Sequence, residues 1–260
     1  MTTPPTVTST STKGTKVLGV LGLIGVAWLL VFGLWLSPED ETQGDAVRML
    51  YIHVPTAWLA YVAFGVTALA SGLYLWRRTR SMAWDRIAGA SAELGVLFTA
   101  MTLVAGMLWG KMTWGVYWTW DARLTTTALL LVLFLGYLAV RRLEAPPEVR
   151  ARRAAIAGLI AFVDVPIVHE SVVWWRTLHQ SPSVLRQDLK VYIDGLMLFS
   201  LFVGLVAFTL LYIWMMVHRV RVMQMEQAME DRGVELAIAE RQSEAGLVPA
   251  GSVVASEVAP

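Results

Sequence analysis

The sequence predicts an all-α membrane protein with six transmembrane helices, both termini cytoplasmic and a Trp-rich outer loop. Three observations carry this. Apolar residues make up 56% of the 260 and charged residues only 16%, with a mean hydropathy of +0.56, whereas a soluble chain carries about a quarter charged residues. The deficit is concentrated in six long runs, each close to the roughly 20 apolar residues that cross about 30 Å of hydrocarbon. Lys and Arg are distributed unequally between alternate connectors.

The first run is Val17 to Leu36. It is too long for a signal-peptide core, and Leu36-Ser37-Pro38-Glu39-Asp40 lacks a small-x-small cleavage site, so it reads as a retained span. Residues 1–16 are Thr/Ser/Pro-rich and are expected to be disordered. The second run is Met49 to Trp76, with Pro55 in its first turns; the missing amide there leaves the Tyr51 carbonyl without its helical donor and predicts a loosened helix. The third is Ile87 to Trp109 and the fourth Leu124 to Val140. The fifth, Ala154 to Val173, is the most polar, with Asp164, Pro166, His169 and Glu170. The sixth is Ile193 to Val217. Residues 17–217 thus form the membrane domain. Residues 218–260 form a tail that is charged and helix-favouring up to Gly233, an extension of span six, with no readable structure from Ser243 to Pro260.

One set of connectors and ends holds 15 Lys and Arg: Lys13, Lys16, Arg77, Arg78, Arg80, Arg86, Arg141, Arg142, Arg150, Arg152, Arg153, Arg219, Arg221, Arg232 and Arg241. The opposite set holds 6: Arg48, Lys111, Arg123, Arg176, Arg186 and Lys190. The basic set is expected in the cytoplasm. That puts Ser37–Arg48, Gly110–Arg123 and Trp174–Tyr192 outside.

The chain has no cysteine. That excludes disulfides, thiolate metal sites and thioether attachment of a cofactor by this chain. No Gly-rich phosphate loop is visible, so the chain has no ATPase motif of its own. The basic residues follow the ordinary inside bias and do not suggest nucleic-acid binding.

The unusual chemistry lies toward the outer side. Trp109, Trp114, Trp118 and Trp120 fall within twelve residues together with Tyr117, followed by Asp121 and Arg123. An interfacial aromatic belt explains one or two Trp per span end. This density, with an acid and a base embedded, fits a flat-walled platform for a planar aromatic ligand better. On a continuous helix Trp114 and Trp118 would share a face.

Three of the four histidines, His53, His169 and His179, also lie toward the outer side; His218 reads as an interfacial residue near the cytoplasm. Singly, each is most simply a hydrogen-bonded structural histidine. Jointly, two neutral imidazoles from separate elements can ligate iron from opposite sides of a macrocycle. Arg123, then Arg48, Lys111 and Arg176, could pair with carboxylates on its rim. Zinc is less suited, with no Cys and no His-x₃-His pair. Glu93 and Asp164 interrupt apolar runs; without a relay at matching depth, carboxyls bonded to neighbouring helices are the simpler reading. His169 is a candidate auxiliary ligand, and Glu170 reads as interfacial.

Trp114-Gly-Val-Tyr-Trp118-Thr-Trp120-Asp121-Ala-Arg123-Leu-Thr125 resembles the Trp-rich loop of the haem-handling family of cytochrome c biogenesis proteins. The ending Trp-Asp-Ala-Arg-Leu-Thr is similar to its small six-span branch, haem exporter C (CcmC). Tyr51-Ile52-His53-Val54-Pro55 and Trp174-Trp175-Arg-Thr-Leu178-His179-Gln180 resemble the family's two histidine motifs, and the likeness covers roughly residues 15 to 220. Ser181-Pro182-Ser183 and the long tail depart from the pattern. The resemblance implies that His53 and His179 are axial ligands of a non-covalent b-type haem. It implies that Trp114, Trp118, Trp120 and Asp121 build the platform, and that Arg123 is a propionate or structural partner. It further implies a bacterial inner-membrane protein that presents haem at the periplasmic face to a CcmE-type haem chaperone. Its neighbours in an ABC-type complex would be the ATPase subunit CcmA, the membrane subunit CcmB and the small single-span CcmD.

Two rival readings follow from the same residues. A membrane b-type cytochrome carrying electrons would place histidine pairs on facing spans inside the bilayer, whereas here one histidine is at a span mouth and the other in a loop. A transporter or structural subunit would use the Trp loop only for partner contacts.

Overall fold

The computed structural model describes residues 9–180, 193 and 195–244. Residues 1–8, Ser181–Ser183, Arg186, Lys190 and the stretch from 245 to the C-terminus, on which some of the expectations above fall, lie outside the described residues. Among the described residues the chain is helical, with six stretches long and apolar enough to cross a membrane.

Helix α1 (Lys13–Trp28) continues through a π turn at Leu29–Gly33. It starts inside the segment expected to be disordered, because Thr12 and Thr15 form a reciprocal cap that satisfies the first free amides. A 3-10 turn (Asp45–Met49) leads into α2 (Leu50–Leu75). Pro55 does not break α2, which runs on through it; beside it the Thr56 hydroxyl donates to the carbonyls of Ile52 and His53, both at 2.9 Å.

Helix α3 (Met82–Trp114) runs five residues further than the apolar run suggests. It stops where Gly115 takes a left-handed conformation at φ 78°, which costs glycine little. Trp114 is therefore the last helical residue and Trp118 lies in a non-helical connector, so the two do not share a helix face. Helix α4 (Ala122–Arg141) starts at the Asp121 cap, whose carboxylate accepts from the Leu124 amide at 2.9 Å. The fifth span is two helices, α5 (Pro147–Phe162) and α6 (Asp164–Trp174). The break at Val163 follows from Pro166, which has no N–H for the carbonyl of Phe162. Helix α7 (Gly195–Glu244) is 50 residues long, about 75 Å at 1.5 Å per residue. It passes through Gly233, because one exposed helical glycine costs only about 1 kcal/mol.

Helices α2 and α3 pack along their length at the centre. Helix α1 lies on α7, and α4, α5 and α6 close the opposite flank. The α1–α7 approach is close: a Cβ at Gly25 would stand 2.4 Å from that of Ala207. The main core gathers Leu59, Phe64, Phe98, Leu130, Phe134 and Tyr137, with the Phe64 and Phe134 rings stacked at 3.6 Å.

Two ion pairs clamp the Arg-rich half of the bundle. Arg141 donates to both oxygens of Asp85 at 2.5 and 2.9 Å, tying α4 to α3. Arg219 donates to both oxygens of Glu93 at 2.5 and 3.0 Å, tying α7 to α3. Glu93 is thus a structural partner, as the simpler sequence reading has it. Asp164 is buried, and its Oδ2 has no hydrogen-bond partner among the described residues.

Candidate haem site

Three connectors meet at the opposite end of the bundle. Gln43, after the first span, links two elements: its amide oxygen accepts from Trp109 Nε1 at 2.8 Å, and its nitrogen donates to the Gln180 side chain at 3.1 Å. Asp121 does the same for the Trp loop. One oxygen caps α4, and the other accepts from the Leu178 amide at 3.1 Å. These ties bring His179 over the mouth of α2, where His53 sits.

The His53 and His179 ring centres are 6.2 Å apart, with the planes tilted by 38°. His53 Nδ1 lies 3.1 Å from the Thr102 carbonyl of α3, and His179 Nδ1 lies 2.7 Å from the Gln180 carbonyl. A carbonyl can only accept, so each Nδ1 carries the proton and each Nε2 keeps its lone pair. Burial first, and then the charge of Arg123, lower the His179 pKa to about 4. Its imidazole is therefore neutral at pH 7. Gly106 makes room for His53: a Cβ there would stand 2.9 Å from His53 Cε1.

Around the pair opens a cavity of about 870 Å³, within the size range of small-molecule sites. Trp109 meets His53 edge-on at 5.7 Å, and Trp114 meets His179 at 6.4 Å. Trp118 also lines the cavity, with its indole N–H buried and without a partner among the described residues. Arg123 points into the same space. His169, on α6, lines it beside Tyr61.

Of the residues singled out in the sequence, His53, His179, Trp114, Trp118 and Arg123 come together. Trp120 does not join the wall: it is 83% exposed and packs edge-on against Trp118 at 5.4 Å. Asp121 does not line the cavity either; it holds the two connectors together. The other bases are occupied elsewhere or point away. Arg48 pairs with Asp45 at 3.0 Å, Lys111 donates to the Gly115 carbonyl at 2.9 Å, and Arg176 is exposed. Sequence reasoning passed over Gln43, Thr102 and Gly106. Only Gly106 left a trace, as a small residue one turn before Trp109 in an apolar span.

The donor set suits a macrocycle better than a bare ion. Among the described residues no three His, Asp, Glu or Cys side chains gather to hold a metal, whereas a porphyrin brings its own four nitrogens. With metal–nitrogen distances of about 2 Å, imidazoles on opposite faces of one iron have ring centres about 6 Å apart. That is the separation found here.

Comparison with known proteins gives the family. The family profile described as heme exporter protein C (CcmC) matches residues 1–235. The heme exporter protein C of Bradyrhizobium diazoefficiens is 40% identical over 213 residues, covering 77% of this chain and 80% of its own. That of Haemophilus influenzae is 38% identical over 211 residues, covering 81% and 82%. A putative cytochrome c biosynthesis ccmC-like mitochondrial protein of Marchantia polymorpha is 36% identical over 179 residues, covering 67% and 75%. With a family profile spanning most of its length and relatives this similar, the chain belongs to the heme exporter protein C family.

Proposed function

We propose that this chain holds haem between His53 and His179 at the Trp-loop end of its bundle and presents it to a periplasmic haem chaperone of the CcmE type. Family membership gives the coarser role plainly: a multi-pass membrane protein of haem handling in cytochrome c biogenesis, a delivery subunit rather than an enzyme, within the Ccm haem-handling complex. The observation that carries the finer reading is the imidazole pair at 6.2 Å, each ring with Nδ1 fixed by a carbonyl.

In this reading His53 and His179 would hold the iron of a bound haem, and the chain's other residues hold the ring. His53 is set rigidly, being on a helix and anchored to a second helix. His179 is on a connector, where ligation can be broken without disturbing the bundle, as a carrier requires. Trp109, Trp114 and Trp118 wall the ring with large apolar faces and exclude water. Arg123 offers a guanidinium to a propionate. Trp120, exposed beside Trp118, is placed for the chaperone rather than for haem, and Asp121 acts by positioning the His179 connector. The basic connectors lie in the cytoplasm of a bacterial inner membrane, with CcmA, CcmB and CcmD as neighbours. Against an electron-carrying cytochrome, His218 lies at the other end of the bundle against Trp214, so the described histidines form no second pair across the membrane.

The test is spectroscopic. The purified chain titrated with haem is expected to give a six-coordinate low-spin spectrum. His53→Ala and His179→Ala are each expected to become five-coordinate, and the double variant to retain no more haem than a detergent blank. A low-spin spectrum surviving in either single variant would overturn the assignment of that ligand.

A pH profile separates this site from an ordinary surface histidine. With the His179 pKa lowered to about 4, protons begin to compete with iron only as the pH falls through about 4. Haem affinity is expected to stay flat from pH 7 to about 5 and to drop below that. An unperturbed imidazole would lose affinity from about pH 6.5 downward. Haem titrations across that range distinguish the two.

A further inference from the structure

A second polar cluster lies in the same cavity, built by Tyr61, Arg123 and His169. Arg123 Nη1 donates to the Tyr61 hydroxyl at 3.2 Å and to the Val168 carbonyl at 2.5 Å. His169, the next residue on α6, meets the Tyr61 ring edge-on at 6.0 Å and 77°. Guanidinium and imidazole therefore flank one phenol. Arg123 Nε is buried and has no hydrogen-bond partner among the described residues. Among the described residues that line the cavity, Arg123 is the only Lys or Arg, and none is Asp or Glu. Asp121, the acid closest in sequence, uses its two oxygens on the Leu124 and Leu178 amides.

A guanidinium whose Nε is buried without a partner, and with no acid among the described residues that line its cavity, is costly unless a ligand supplies one. A carboxylate matches that planar edge best. A flat ligand with two acidic groups on one rim needs a second donor beside the first, and His169 stands there. We propose that Tyr61, Arg123 and His169 form a carboxylate-binding subsite, separate from the imidazole pair, that orients the acidic rim of the ligand. Arg123 takes one carboxylate, His169 donates an N–H to the other, and Tyr61 positions both. The proposal rests on the haem reading above and deepens it.

Haem and haem dimethyl ester share the iron and the ring but differ in their carboxylates. The full-length protein in detergent is titrated with each and followed at the Soret band. Wild type is expected to favour the free acid by about tenfold or more, the range of a charge-assisted hydrogen bond. His169→Phe is expected to cut that preference by about threefold to tenfold while keeping the low-spin spectrum with both compounds. His169→Gln, which retains an N–H donor, is expected to restore most of the preference, and Tyr61→Phe to lower it in part. An unchanged acid-to-ester ratio in His169→Phe would overturn the subsite. So would loss of the low-spin spectrum with both compounds, which would make His169 an iron ligand. Failure of wild type to bind either compound is a separate result and would remove the haem reading underneath.

Discussion

Gly106→Val is expected to lose haem while the bundle stays folded. A Cβ at position 106 would stand 2.9 Å from His53 Cε1 and 3.3 Å from its Nδ1, so the imidazole must move. Moving it breaks the contact with the Thr102 carbonyl that fixes its tautomer and aim. Losing such an orienting partner costs about 10–100-fold in metal affinity, and the expected spectrum is five-coordinate. The backbone at Gly106 is ordinary α-helix, so valine itself is tolerated there and Tm should change little. Gly72→Val on α2 serves as the control, since a Cβ there meets nothing within 4 Å. A wild-type haem titration in Gly106→Val would mean that His53 is not aimed at iron.

Asp85→Ala is expected to be the most destabilising single substitution in the Arg-rich half. Asp85 and Arg141 are 5% and 13% exposed and pair through both carboxylate oxygens. Gly89 lets the guanidinium lie flat on α3, where a Cβ would come within 2.8 Å of it. Removing the acid leaves a buried, unpaired cation, a defect that costs about 3–5 kcal/mol. Asp85→Ala/Arg141→Leu removes both charges and is expected to recover much of that loss, because replacing a buried ion pair by apolar groups is often near neutral. Thermal unfolding in detergent reads both variants. Asp85 lies about 30 Å along α3 from Gly106 at 1.5 Å per residue. Haem affinity of the folded fraction should therefore match wild type. A Tm equal to wild type in Asp85→Ala would show that this pair does not clamp α3 to α4.

Most of the architecture was legible because spanning a membrane demands long uncharged runs, and those are plain in one dimension. Helix ends were less so. Thr12, Gly115 and Pro166 set them through caps and a missing amide, which shift a boundary by several residues without changing hydropathy. Legibility of the site divides in the same way. His53, His179, Trp114, Trp118 and Arg123 stood out by residue type and density. Trp120 stood out equally, yet it faces outward, because once Gly115 ends α3 the connector no longer follows helical spacing. Gln43 and Thr102 carried no signal: a glutamine in a polar loop and a threonine in an apolar helix acquire meaning only from what lies opposite them.

By itself, the sequence determined that this is a six-span helical protein with an aromatic, histidine-bearing end, since burial in lipid and helical spacing are properties of local stretches. Only the tertiary structure decided that residues 126 positions apart, His53 and His179, meet at 6.2 Å, that Asp121 positions a connector instead of lining a wall, and that Glu93 serves an ion pair. Such pairings depend on how helices pack and loops cross, and those distances are set by contacts between segments that no single segment encodes.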